Sequence, residues 1–174
     1  MLEQLGLTLT IISPDVDEAP HGAEDPVAYV RRVALAKVFA VDAPADALVI
    51  AADTTVNLDG EILAKPDDAA HATEMLRRLS ARTHRVHTGV AVRRGDTHSV
   101  EVITSLVTFT PLAPAMIEWY VATGEPIDKA GAYAVQGAGG VFVQRVRGSV
   151  SNIVGLPLHA VVRLAQELGV TLVG

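Results

Sequence analysis

The stretch Val49–Pro66 reads VIAADTTVNLDGEILAKP: an apolar run that stops at an aspartate, a hairpin signal, then a lysine followed at once by proline. Leu48–Ala52 has the composition of a fully buried strand, and Asp59-Gly60 between short β-prone runs is the signature of a type I′ turn. A two-residue loop there makes Leu58 face Glu61. Counting back, it pairs Asn57 with Ile62, Val56 with Leu63, Thr55 with Ala64 and Thr54 with Lys65. Directly opposed residues hold their Cβ atoms about 5 Å apart, so this register sets a cation beside Asp53. Asp53 itself closes a strand, the place where open α/β sheets take their ligands.

Outward from the hairpin, helices and strands interleave. Met1–Leu5 is half a helix closed by Gly6, and Leu7–Ile12 is a β-prone run ending at Ser13-Pro14. Asp25-Pro26 opens a helix by the N-cap and first-turn proline rule. Its apolar stripe of Val27, Val30, Ala34 and Val41 also carries Lys37, seven residues beyond Val30. Pro66-Asp67-Asp68 opens a second helix through Ala72, Met75, Leu76 and Leu79. Arg85–Val92 and Ser99–Phe109 read as long strands joined around Arg94-Gly95-Asp96, followed by helices at Pro114–Ala122 and Pro157–Leu168. Two hairpins break any purely parallel pattern, so the expectation is α/β with a mixed sheet flanked by helices.

At 174 residues the chain fits a single domain over residues 1–174, long enough to bury a substantial core. The formal net charge of −6 argues against a general nucleic-acid binder, because nothing supplies a broad attraction for a phosphate backbone. With no cysteine there are no disulfides, no thiolate chemistry and no cysteine-rich zinc site. MLEQLGLTLTII lacks the basic and apolar blocks of a signal peptide, and no run approaches the roughly 18 apolar residues of a membrane span. A cytoplasmic protein with no membrane partner is expected.

A carboxylate that can bind a metal or take a proton from water, next to an ammonium that offsets developing negative charge, suits attack on a phosphate ester. The competing reading of Asp53 and Lys65 is a surface salt bridge, worth only about 0–1 kcal/mol. Lys37 is either a second cation for the site or a side chain snorkelling from an apolar face. Asp15, Asp17 and Glu18 form an acidic turn that could hold Mg²⁺ through oxygen ligands or remain a solvated loop. His84 and His87 lie three apart in a strand and point to opposite faces, which disfavours a shared metal. Gly137–Gly140 lacks the dinucleotide fingerprint and reads as a turn, and Ser149 and Ser151 lack a nucleophile elbow.

Several long motifs in order carry a resemblance. They are PDVDE at Pro14–Glu18, ALAK ending at Lys37, AADTTV at Ala51–Val56, DGEILAKP at Asp59–Pro66, LSARTHRVHTGVAV, GEPIDKAGAYAVQG and VRGSVSNIVGLPL. From Met1 to about Leu168 the chain resembles the Maf family of nucleoside triphosphate pyrophosphatases. The resemblance implies a two-lobed fold with a central cleft, similar to inosine triphosphate pyrophosphatase-like folds. It also implies a homodimer that hydrolyses a nucleoside triphosphate to the monophosphate and pyrophosphate with a divalent cation, Mg²⁺ or Mn²⁺. By the same resemblance, Asp53 is the catalytic base or metal-linked carboxylate and Glu18 the other metal-site acid. Lys37 and Lys65 are then the phosphate-binding lysines.

Thr54 and Gln136 resemble the specificity residues of the branch acting on dTTP and UTP, which implies these substrates and extends to modified pyrimidine nucleotides. The sequence departs from the family in lacking a first strand and a Ser-x-Ser-Pro-Arg-Arg loop ahead of MLEQLGL, and in having Ala81 where a glycine is usual. The missing loop motivates an alternative, a non-catalytic nucleotide-binding regulator linked to cell division.

Overall fold

The computed structural model describes residues 1–174 and contains one five-stranded sheet. Its strands are β1 (Leu48–Leu58), β2 (Glu61–Leu63), β3 (Thr83–Arg94), β4 (Thr97–Phe109) and β5 (Val143–Arg147), in the order β2-β1-β3-β4-β5. The helices are α1 (Pro26–Ala40), α2 (Ala69–Leu79), α3 (Pro114–Ala122), the single turn α4 (Val150–Ile153) and α5 (Leu158–Glu167). No helix is long and apolar enough to cross a membrane.

The expected α/β architecture with flanking helices holds, but Asp53, expected to close a strand, lies in the middle of β1, whose ladder with β3 runs on past it to Asn57. Every strand pairing is also antiparallel rather than mixed. The two hairpins account for this. Asp59 and Gly60 both take positive φ, 56° and 94°, as a type I′ turn requires, and give the expected pairs Val56↔Leu63, Asn57↔Ile62 and Leu58↔Glu61. Gly95, at φ 56°, turns β3 directly back into β4. The β-prone run Leu7–Ile12 forms no strand at all. It stays unpaired, with Ile11 82% exposed, because propensity without a neighbouring strand supplies no ladder. The half helix before it is a 3₁₀ turn, Leu2–Leu5, closed by Gly6 at φ 80°.

Alternate residues of the central strands face opposite layers. Val90 and Val92 pack under α5 with Ala160, Val161 and Leu164, while Ala91 packs against Ala34 and Val38 of α1. Further along the first of these faces, Val56, Leu58 and Val86 join α2 and α3 in the largest cluster, through Leu76, Leu79, Ile117 and Tyr120. The two clusters lie toward the two ends of β1. Between them, at Ala52–Val56, the chain leaves a cleft of about 530 Å³.

Candidate active site

The cleft forms where β1 has no neighbour. On one side β1 pairs with β3 along Leu48–Asn57, but on the other the short β2 reaches back only to Val56. The Thr55–Ala64 and Thr54–Lys65 pairs expected from the hairpin are therefore not in the ladder. Pro66 follows immediately, and the Ala64 carbonyl accepts instead from the Gly131 amide at 3.2 Å. Hydrogen-bonded pairs alternate along an antiparallel ladder, and a two-residue hairpin makes its closing pair one of them. Hence Val56 and Leu58 bond toward β2, Asp53 and Thr55 bond toward β3, and the peptide groups of Ala52 and Thr54 point to the open edge.

Asp53 and Thr54 flank this edge from opposite faces of the sheet. On Asp53's face lies α1, started by the Asp25 carboxylate, which accepts from the amides of Val27 and Ala28 at 3.0 Å. The helix comes down close because Asp53's cross-strand partner is Gly89. A Cβ at Gly89 would lie 2.2 Å from the Val30 carbonyl oxygen. That approach carries Lys37 to the carboxylate, with Nζ 2.9 Å from Asp53 Oδ1 and 3.0 Å from Glu18 Oε1. Arg93 fixes the far end of the helix by donating to the carbonyls of Val38 (3.1 Å) and Val41 (2.6 Å).

Glu18 is delivered by side chains of the same helix. The Tyr29 hydroxyl donates to the Glu18 carbonyl at 2.9 Å, and Arg32 donates to the carbonyls of Asp17 and Ala19 while bonded to Glu24. Of the acidic turn, only Glu18 reaches the cleft. Asp17 is turned away to His21 at 3.0 Å, and Asp15 does not line the cleft.

Burial dominates the electrostatics of Asp53, which is 9% exposed, and raises its pKa above the ordinary aspartate value although Lys37 opposes the shift. Burial also works against the charge of Lys37, but the two carboxylates outweigh it and hold its ammonium above the usual lysine range. Tyr29, beside them, is pushed up to about 12 by burial and then by Asp53 and Glu18. Asp53 Oδ2 is buried with no hydrogen-bond partner. A desolvated carboxylate with one free oxygen is a better base than an exposed one and a ready donor to a cation.

Lys65 lines the same cleft, exposed and without an ion pair, so the carboxylate's partner is Lys37 rather than Lys65. Gln136, also exposed, lines the cleft together with Tyr133, Asp128 and Lys129. The wall residues Tyr133 and Lys129 carried no signal of their own in sequence. Tyr133 is held by buried His84, whose Nε2 lies 2.8 Å from its hydroxyl, and Lys129 is paired with Asp128 at 2.8 Å. His87 serves another face of the sheet, bonded to Asn57 and Thr104. Gly137–Gly140 leads into a short 3₁₀ turn whose Ala138 and Gly139 amides bind the Glu125 carboxylate, and Ser149 caps α4.

An acid–lysine–acid cluster at an open strand edge, with further lysines around the cleft, is the equipment of a protein that handles phosphorylated small molecules. The sequence model of a family described as Maf-like protein matches residues 1–168, and the chain belongs to that family. Among curated relatives, the dTTP/UTP pyrophosphatase of Anaeromyxobacter sp. (strain Fw109-5) is 52% identical over 174 residues, covering 97% of this chain and 83% of the relative. The dTTP/UTP pyrophosphatase of Myxococcus xanthus (strain DK1622) is 48% identical over 173 residues, covering 99% and 88%. That of Symbiobacterium thermophilum is 45% identical over 170 residues, covering 97% and 88%.

Proposed function

We propose that this chain is a nucleoside triphosphate pyrophosphatase that hydrolyses dTTP and UTP to the monophosphate and pyrophosphate. The observation that carries the reading is the buried Asp53, held at Oδ1 by Lys37 and left free at Oδ2, in a cleft shared by Lys65 and Gln136. The names of the relatives support the substrate. Asp53 takes a proton from water as the water oxygen bonds to phosphorus, and the bond to pyrophosphate breaks. Lys37 and Lys65 offset the charge on the phosphoryl oxygens and the departing pyrophosphate. Thr54 and Gln136 read the base.

The side chains also suit a divalent cation. No cluster of three ligating residues is present, but Mg²⁺ commonly takes one or two carboxylates and completes its shell with substrate phosphates and water. Asp53, through its free oxygen, and Glu18 would be the protein donors. When bound, Mg²⁺ or Mn²⁺ would neutralise part of the triphosphate charge.

We also place the protein in the cytoplasm as a single-domain homodimer acting on free nucleotides, a reading supported by its charge, its lack of cysteine and the family resemblance. The function itself is tested by incubating the protein with dTTP, UTP, CTP and GTP plus Mg²⁺ or Mn²⁺. Pyrophosphate release is expected with dTTP and UTP, and none with any nucleotide would overturn the reading. The names of the relatives do not favour the non-catalytic alternative.

A further inference from the structure

Thr54 projects from the sheet face opposite Asp53, and its hydroxyl belongs to a buried chain. Its Oγ1 lies 2.8 Å from Thr88 Oγ1, and Thr88 Oγ1 lies 2.9 Å from the carbonyl oxygen of Asn152. Both Thr88 and Asn152 are fully buried. A carbonyl only accepts and a hydroxyl has one proton. Thr88 must therefore donate to Asn152, because the reverse would set lone pairs against each other where no water reaches. In the Thr54–Thr88 pair, the donor is consequently Thr54.

The Asn152 carbonyl is itself held in place. Asn152 Nδ2 donates to the Val86 carbonyl at 3.1 Å and to Ser105 Oγ at 3.0 Å, and the Gly155 amide donates to the Asn152 carbonyl at 3.0 Å. Gly155 and Thr54 line the cleft side by side.

We propose that Thr88, oriented by Asn152, is a positioning residue that fixes Thr54 as a pure hydrogen-bond acceptor, so that the cleft selects a base with a ring N–H. The inference rests on the reading of the cleft as a pyrimidine nucleotide site and specifies how that site discriminates. Uracil and thymine carry N–H at ring position 3, whereas cytosine presents a lone pair there. A pyrimidine placed with this edge on Thr54 is accepted as uracil and repelled as cytosine. Gln136, free to turn either end of its amide, adds a contact without enforcing that distinction.

Calorimetric binding of monophosphates tests the inference separately from turnover. The probes are UMP, CMP and 3-methyl-UMP, in which a methyl group replaces the ring proton. The wild-type protein should bind UMP about tenfold more tightly than either of the others, the discrimination of a single buried hydrogen bond. Thr88→Val, which frees the Thr54 proton, should bring UMP and CMP to within about twofold of each other, while Thr88→Ser should keep the preference. Equal binding of UMP and 3-methyl-UMP by the wild type, or no binding of UMP, would overturn the inference, as would an unchanged preference in folded Thr88→Val. Equal binding of UMP and 3-methyl-UMP would overturn the inference even where Thr88→Val does not fold, and loss of the preference in folded Thr88→Val with its retention in Thr88→Ser is what assigns the role to Thr88. Absence of pyrophosphate release with UMP preference intact would instead overturn the catalytic reading alone.

Discussion

Ala81 occupies the left-handed region at φ 58°, just after Leu79-Ser80 and with its amide bonded to the Thr110 carbonyl at 3.1 Å. The glycine expected there from the family pattern has a physical reason, since a Cβ in that conformation costs about 1–2 kcal/mol. Ala81→Gly relieves this strain and gives back about 0.5–1 kcal/mol in unfolded-chain entropy, so urea unfolding should show a net gain of up to about 1.5 kcal/mol. A second residue makes a pH-dependent contribution. Burial lowers the His84 pKa from 6.5 to about 4, so the folded protein keeps the ring neutral at a pH where the unfolded chain protonates it. The stability this group provides is complete above pH 6.5 and is lost as pH falls toward 4, by about 3 kcal/mol in all. In His84→Gln the loss of stability between pH 7 and 4 should shrink by most of that amount. Asp53, Glu18 and Lys37 could be singled out from sequence because their residue types and motifs survive. The partner of Asp53 could not, because hairpin register alone favoured Lys65 and gave no account of how close α1 would come.

That closeness belongs to the scale of elements, and Gly89 controls it. In sequence it was one glycine inside a strand; only the helix backbone above it shows why a side chain is excluded. Gly89→Ala must push α1 from the sheet, with an overpacking cost of about 1–3 kcal/mol or more, and should carry Lys37 away from Asp53. A lowered unfolding midpoint together with reduced turnover is expected, and a variant of unchanged stability would contradict the packing described. The strand edge gives a second measurement. Along β1 the amides of Asp53 and Thr55 bond to β3 while those of Ala52 and Thr54 face the cleft, so hydrogen exchange should alternate, slow at the first pair and fast at the second. The hairpin and its first three pairs were legible from Asp59-Gly60; the open edge was not, because the register counted on to Thr54–Lys65 while β2 stops pairing at Val56. Nor was the failure of Leu7–Ile12 to form a strand, since a β-prone run reports what a residue prefers and not whether a neighbour exists to pair with it.

At the scale of the molecule, the sheet, the cleft and the charge cluster follow from one arrangement. Two hairpins make the sheet antiparallel, the short β2 leaves β1 half covered, and the uncovered half becomes the floor of the cleft. Helix α1 brings a lysine and an acidic turn to one face, and α4 fixes a threonine on the other. The α/β class was readable because hairpin and capping signals are local. The cleft's walls were not, because Tyr133, Lys129 and Gly155 arrive from loops whose paths depend on the packing of the largest cluster. The central claim is that Asp53 performs the chemistry in this cleft. Its most direct test is pyrophosphate release from dTTP and UTP by the wild type and by Asp53→Asn, with nucleotide binding measured alongside. Turnover by the wild type, abolished in the variant while binding persists, is the predicted result; equal turnover by the two would contradict the account.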